Sequence, residues 1–254
     1  FRRHHSTPKR RNFDQTELWR GQYCTVAEPT HGTAVPEDHI ADWKGFALAA
    51  RASKLALQRT LDPLPESALA FADAHYPWEK VSAWSRDYLL ASADFMGFWA
   101  DLFAPYEFQS GAVNVVAFRP YLLMARSGLE AASQGLWLVG AESPRNCVRR
   151  HVRLMYRDFE YHRDALLAGQ MDAAQLQERM DTLVTRAAET DSSLRPGDKP
   201  PGFEKIVRLA AEALTQDADR WTYLWKAASG AAHGQNWFGT EAVLAVGRAT
   251  RRFP

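Results

Sequence analysis

Apolar residues recur at spacings of three and four over most of this chain, the period of an α-helix with one buried face. Val81, Trp84, Tyr88, Ala91, Phe95, Phe98 and Leu102 step this way behind Pro77. They predict a long amphipathic helix that stops near Pro105. Ile40, Trp43, Ala47 and Ala50 predict an earlier helix running to about Thr60, where Asp62-Pro63-Leu64-Pro65 breaks it. Ala125, Leu129, Ala132 and Leu136 mark one side of a third helix over 122–138, with Pro120 in its first turn and Gly140 at its end. Its Gly128, Ala131, Ala132 and Gly135 leave room for a neighbouring helix to come close.

Ser143-Pro144 reads as a helix cap followed by a proline in the first helical position. Val148, Val152, Met155, Phe159, His162 and Leu166 then form one apolar stripe, which makes His162 a hydrogen-bonded core histidine. Asp172 and Gln175 have capping-box spacing, followed by Leu176, Met180, Leu183 and Ala187. Residues 190–202, rich in proline and glycine, predict a long loop, and helices are expected near 203–215 and 218–233. Ala242 to Val246 fits either a strand or a short helix. Strand patterns are otherwise nearly absent. The expectation is an all-α bundle of about seven helices, with Trp84, Phe95, Val152, Met155 and Phe159 buried.

Composition narrows the picture. The 254 residues are enough to bury a proper core. Residues 1–12 carry five Arg or Lys, so residues 1–38 read as a flexible, basic, irregular arm. That arm lies either on phosphate or free in solvent. Residues 39–254 then read as a single helical-bundle domain. A net charge of +1 means that any polyanion site is a local patch. Cys24 and Cys147 are too few for a disulfide framework, which points to a reducing, cytoplasmic setting. No apolar run reaches the roughly 20 residues that span a bilayer, so no membrane partner is expected. Glycine-rich phosphate loops, nucleophile elbows and paired metal-ligand motifs are missing, and neither a metal nor a cofactor is expected.

Two stretches suggest chemistry. In the segment from Trp221 to Gly234, Lys226 and His233 are seven residues apart, close to two helical turns. They share a face with Thr222 and Ser229, opposite Trp221, Leu224, Trp225 and Ala228. A histidine in the last turn is favoured by the helix dipole, and Gly234 is an ordinary left-handed stop. The same imidazole also suits acid–base work near neutrality. The second stretch follows Ser143, where Arg149, Arg153 and Arg157 make a ridge at four-residue intervals, with Arg150 beside it. Such a ridge attracts a nucleic-acid backbone, or it pairs with acids on neighbouring helices such as Glu130 or Asp87.

The run Lys226-Ala-Ala-Ser-Gly-Ala-Ala-His233-Gly234 resembles the signature of HEPN-domain proteins, helical bundles whose motif is an arginine, four to six spacers and a histidine. The stretch from Arg119-Pro120-Tyr121-Leu122 to Trp137-Leu138-Val139 resembles the preceding core helix of related bacterial proteins. Ser229, Ala232, His233 and Gly234 match their later motif, and the likeness spans about residues 75–235. It implies a metal-independent endoribonuclease of toxin or phage-defence type that acts on RNA as a homodimer, with an antitoxin or other partner protein. Carried over, His233 moves protons, Lys226 is the phosphate cation and Ser229 assists, while Arg149, Arg150, Arg153 and Arg157 bind RNA. Lys226 stands where the family has arginine, losing its planar fork, and Ala227 stands where a polar residue is common. The alternatives are a non-catalytic dimerisation or partner-binding module, or a phage or host assembly component.

Overall fold

The structure, a computed structural model, describes residues 37–60, 62–103, 118–235 and 237. Within them the chain forms eight helices: α1 (Glu37–Arg59), α2 (Ala68–His75), α3 (Val81–Phe103), α4 (Phe118–Val139), α5 (Pro144–Ala168), α6 (Ala174–Thr190), α7 (Phe203–Ala213) and α8 (Ala218–Ala232). No strand occurs among the described residues. The fold is an all-α bundle. The expected basic arm, apart from its last two residues, and the segment Ala242 to Val246 lie outside the described residues.

The helix absent from the sequence reading is α2. Ser67, with extended backbone, starts it by accepting a hydrogen bond from the Ala70 N–H at 3.2 Å. The buried Asp73 carboxylate then accepts from the Ser82 N–H at 2.9 Å. A short helix with one apolar turn shows little periodicity, yet α2 satisfies one of the orphan donors in the first turn of α3. That turn begins at Val81.

Of the two caps expected from sequence at α5 and α6, the first forms as expected. Ser143 is extended, accepts from the Asn146 N–H at 3.2 Å and precedes Pro144 in the first turn of α5. At the start of α6 the expected capping box does not form. Ala173 is the cap residue, and Asp172 accepts from the Ala174 N–H at 2.9 Å. The asparate side chain engages the backbone two residues on, the local bond that competes with a box.

The helix α4 packs against α3, α7 and α8, while α5 packs against α2 and α6. Of the two stripe glycines, Gly135 lies tighter against α3, where a Cβ would be 3.0 Å from Leu89 Cγ and 3.1 Å from the Ser85 carbonyl oxygen. The small-residue stripe therefore does what its spacing suggested. Among the described residues three buried clusters result: α5 serves the first two, and the third joins Ala47 of α1 to Ala100 of α3. Val148, Val152, Met155 and Phe159 join Tyr76, Val81, Leu176, Met180 and Leu183 in the first. Leu154, on another side of α5, joins Trp137, Leu138 and Ile206 in the second.

Three expectations about burial change. Trp84 is only partly buried, against the first core, and Phe95 is 37 % exposed. His162 is exposed. The histidine of α5 that is fully buried is His151, next to Arg150 of the basic ridge. The stripe is still covered one turn later, where Leu166 packs against the first core, so His162 sits at its exposed edge, whereas His151 lies against Tyr76 and Trp84, with ring centroids 5.8 and 5.6 Å away.

His151 Nε2 donates to the Glu79 carbonyl oxygen at 2.8 Å, which leaves the Nδ1 lone pair without a partner. Protonating Nδ1 would place an uncompensated cation in the core. Burial holds this imidazole down at about 4 against an ordinary 6.5, although the Glu79 hydrogen bond and the nearby Asp73 carboxylate both pull it upward. Above pH 6.5 the ring is neutral in folded and unfolded chains alike. Between 6.5 and 4 only the unfolded chain takes the proton, so stability falls as pH drops, by about 3 kcal/mol in full. Urea midpoints at pH 7 and pH 4 should separate more for the wild type than for His151→Leu. Equal separations would remove His151 from the acid response.

Candidate functional site

Asp217 starts α8 by accepting from the N–H groups of Asp219 and Arg220, both at 3.0 Å. The Thr222 hydroxyl donates back to the Ala218 carbonyl at 2.7 Å, so it serves the helix rather than a ligand. At the other end, Gly234 takes φ +70°, its N–H bonds to the Ala231 carbonyl at 3.1 Å, and the Gln235 N–H bonds to the Gly230 carbonyl at 2.9 Å. This is a Schellman stop, and it gives the His-Gly pair a mechanical reason. The chain then folds back over Gly230, where a Cβ would meet Trp237 Nε1 at 2.9 Å. Gly234→Ala should cost about 1 kcal/mol through its left-handed backbone, read as a lowered urea midpoint.

His233 is the cap residue and is exposed. Its Nε2 lies 3.4 Å from Nη1 of Arg126 on α4. A guanidinium only donates, so Nε2 is the receiving atom. Arg126 is steered from two further sides. Its Nε donates to Glu130 Oε1 at 2.9 Å, and its guanidinium lies 5.8 Å from the centre of the Trp225 ring. Trp225 Nε1 donates at 2.8 Å to the same Glu130 oxygen. Four side chains from α4 and α8 thus form one cluster.

Lys226 is not part of that cluster. Its ammonium pairs with Glu204 of α7 at 2.9 Å, both groups about half exposed. The seven-residue separation puts about 10 Å of rise between Lys226 and His233, and each side chain reaches a different neighbouring helix. Ser229, half-buried, lies between them along the helix.

The four ridge arginines are half-buried and engaged within the chain. Arg150 donates to the Trp137 carbonyl at 2.5 Å and lies over the Trp137 ring, and burial lowers its pKa. Arg153 pairs with Asp198 at 2.5 Å. Arg157 donates to Gln134 Oε1 at 2.6 Å and lies over the Phe203 ring. Arg149 bonds only within its own helix, to Asn146 Oδ1 at 2.9 Å. The two acidic partners expected for the ridge are not the ones used, since Glu130 serves Arg126 and Trp225. Three arginines thus anchor α5 to the 196–203 region and to α4.

Arg126 is the site residue that the sequence reading missed. Its signal was the Arg126–Glu130 spacing of four, an ion-pair pattern indistinguishable from ordinary surface pairs. Only the pairing of α4 with α8 brings it to His233. No group of metal-ligating side chains occurs among the described residues, and no described helix is long and apolar enough to cross a membrane. Comparison of the chain with models of protein families, with curated proteins and with solved structures finds no match.

Proposed function

We propose that this chain is a HEPN-like, metal-independent endoribonuclease of toxin or phage-defence type, in which His233 moves protons and Arg126 supplies the adjacent cation. One observation carries the reading: an exposed imidazole within 3.4 Å of a guanidinium that Glu130 and Trp225 hold in place. In this chemistry Arg126 turns from His233 to the substrate phosphate, and the freed His233 Nε2 takes the proton of a ribose 2′-hydroxyl as the 2′-oxygen bonds to the adjacent phosphorus. The bond from phosphorus to the 5′-oxygen breaks, and the His233 imidazolium returns the proton to the leaving oxygen. Arg126 holds the charge that develops on the equatorial oxygens. Arg126 comes from the same chain, so a second subunit is not needed to complete the pair. A homodimer, an antitoxin-like partner and RNA contacts by Arg149, Arg150, Arg153 and Arg157 rest on the resemblance. Three of those arginines must give up internal partners to take phosphate.

A second reading has its own support. The Schellman stop explains His233-Gly234, and Glu204 explains Lys226, as a non-catalytic partner-binding bundle requires. Incubating the full chain with mixed cellular RNA in EDTA separates the two. The nuclease reading expects fragments with 2′,3′-cyclic phosphate ends that vanish with His233→Ala. Absent cleavage, or cleavage that survives this substitution, gives the place to the partner-binding reading.

A further inference from the structure

A groove of about 740 Å³ opens between α1, α3, α4 and the start of α8. It shares α4 and α8 with the His233 cluster, but His233, Arg126, Glu130 and Trp225 are not among its lining residues. Six aromatic rings face it, those of Trp43, Phe46, Phe95, Trp99, Tyr121 and Trp221. Trp43 and Phe46 meet Trp99 at interplanar angles of 74° and 84°, with centroids 5.9 and 5.1 Å apart, so the rings form a corner. The exposure of Phe95, out of keeping with its place on an apolar stripe, follows from this groove.

The charge pattern selects an occupant. Among the described residues, Asp42, exposed, is the single charged side chain that lines the groove, and no described Lys, Arg or His does. Asp42 makes no ion pair among the described residues, whereas Asp94 and Asp101 nearby on α3 are paired with Lys54 and Arg51. Ring faces attract a cation, and a lone carboxylate adds to that field, while an anion meets only repulsion. The volume is that of a small-molecule site. We propose that this groove binds a lipophilic cation, an aromatic or alkyl onium compound whose charge lies near Asp42 and whose apolar body fills the aromatic corner. The proposal is independent of the nuclease reading.

The test uses the full chain and two ions of matched shape and opposite charge, tetraphenylphosphonium and tetraphenylborate, measured by titration calorimetry. The cation should bind one to one and at least about ten-fold more tightly than the anion. Asp42→Asn should weaken the cation about three-fold and leave the anion unchanged or improved. Ala125→Trp, which fills the groove from an exposed helical position, should abolish cation binding with the circular dichroism unchanged. Equal affinity for both ions, binding that survives Ala125→Trp, or no binding of the cation overturns the proposal. If neither ion binds and Ala125→Trp converts a dimer to a monomer, the occupant is a second copy of this chain and the proposal is overturned as well.

Discussion

His233→Ala is expected to slow RNA cleavage by about 10² to 10⁴, the usual loss when a positioned acid–base group is removed. The side chain is exposed at the last turn of α8, and the helix stop is made by backbone atoms of Gly230, Ala231, Gly234 and Gln235. The fold should therefore survive, with unchanged circular dichroism. Arg126→Ala should cost about 10² to 10³, the range for losing one oriented donor to developing charge. Arg126→Lys should recover only part of this, because an ammonium lacks the fork that Glu130 and His233 share. Lys226→Ala should leave the rate unchanged, since that ammonium is spent on Glu204 of α7. A loss at Lys226 equal to the loss at Arg126 would restore the pair that the sequence suggested and remove Arg126 from the site. Single-turnover rates on a defined oligonucleotide decide between them.

Val152→Asp is expected to unfold the protein or drive it to aggregate. Val152 is fully buried on the face of α5 that, together with Met155, packs in the first core with Leu176 and Met180 of α6. Burying an unpaired charge costs several kcal/mol, a large part of the 5–15 kcal/mol that holds a typical domain together. Tyr161→Asp is the matched control. It lies on the same helix but is 61 % exposed, so its effect should stay within about 0.5 kcal/mol. Urea midpoints should separate the two variants clearly. A Val152→Asp protein as stable as Tyr161→Asp would mean that α5 is not packed as described.

How far the fold was legible follows from which signals are local. The period of three and four along Val148, Val152, Met155 and Phe159 is a property of one segment, and each of these residues is buried. Ser143-Pro144 and Gly234 act within a few residues of themselves, and each does what its chemistry requires. The short α2 was not legible because a single turn of apolar residues carries too little period to be distinguished from a loop.

The site was less legible. The sequence put His233 at the end of its helix, and it is the cap residue of α8, but a companion was sought along its own helix, where spacing is visible. The companion in the structure comes from 107 residues earlier in the chain. The arginine ridge shows the same limit from the other side. Regular spacing gives a shared face and says nothing of whether that face meets solvent, an acid or a ring.

The sequence by itself therefore determined the all-α class, most of the helices, the cap at Ser143, the stop at Gly234 and the small-residue stripe of α4, since each depends on residues within one or two turns. Only the tertiary structure decided that His151 rather than His162 is buried, that Arg126 rather than Lys226 meets His233, and that Phe95 faces a groove. Those outcomes depend on which helices cover which faces. That choice is made by burial summed over the whole chain, and no local pattern encodes it.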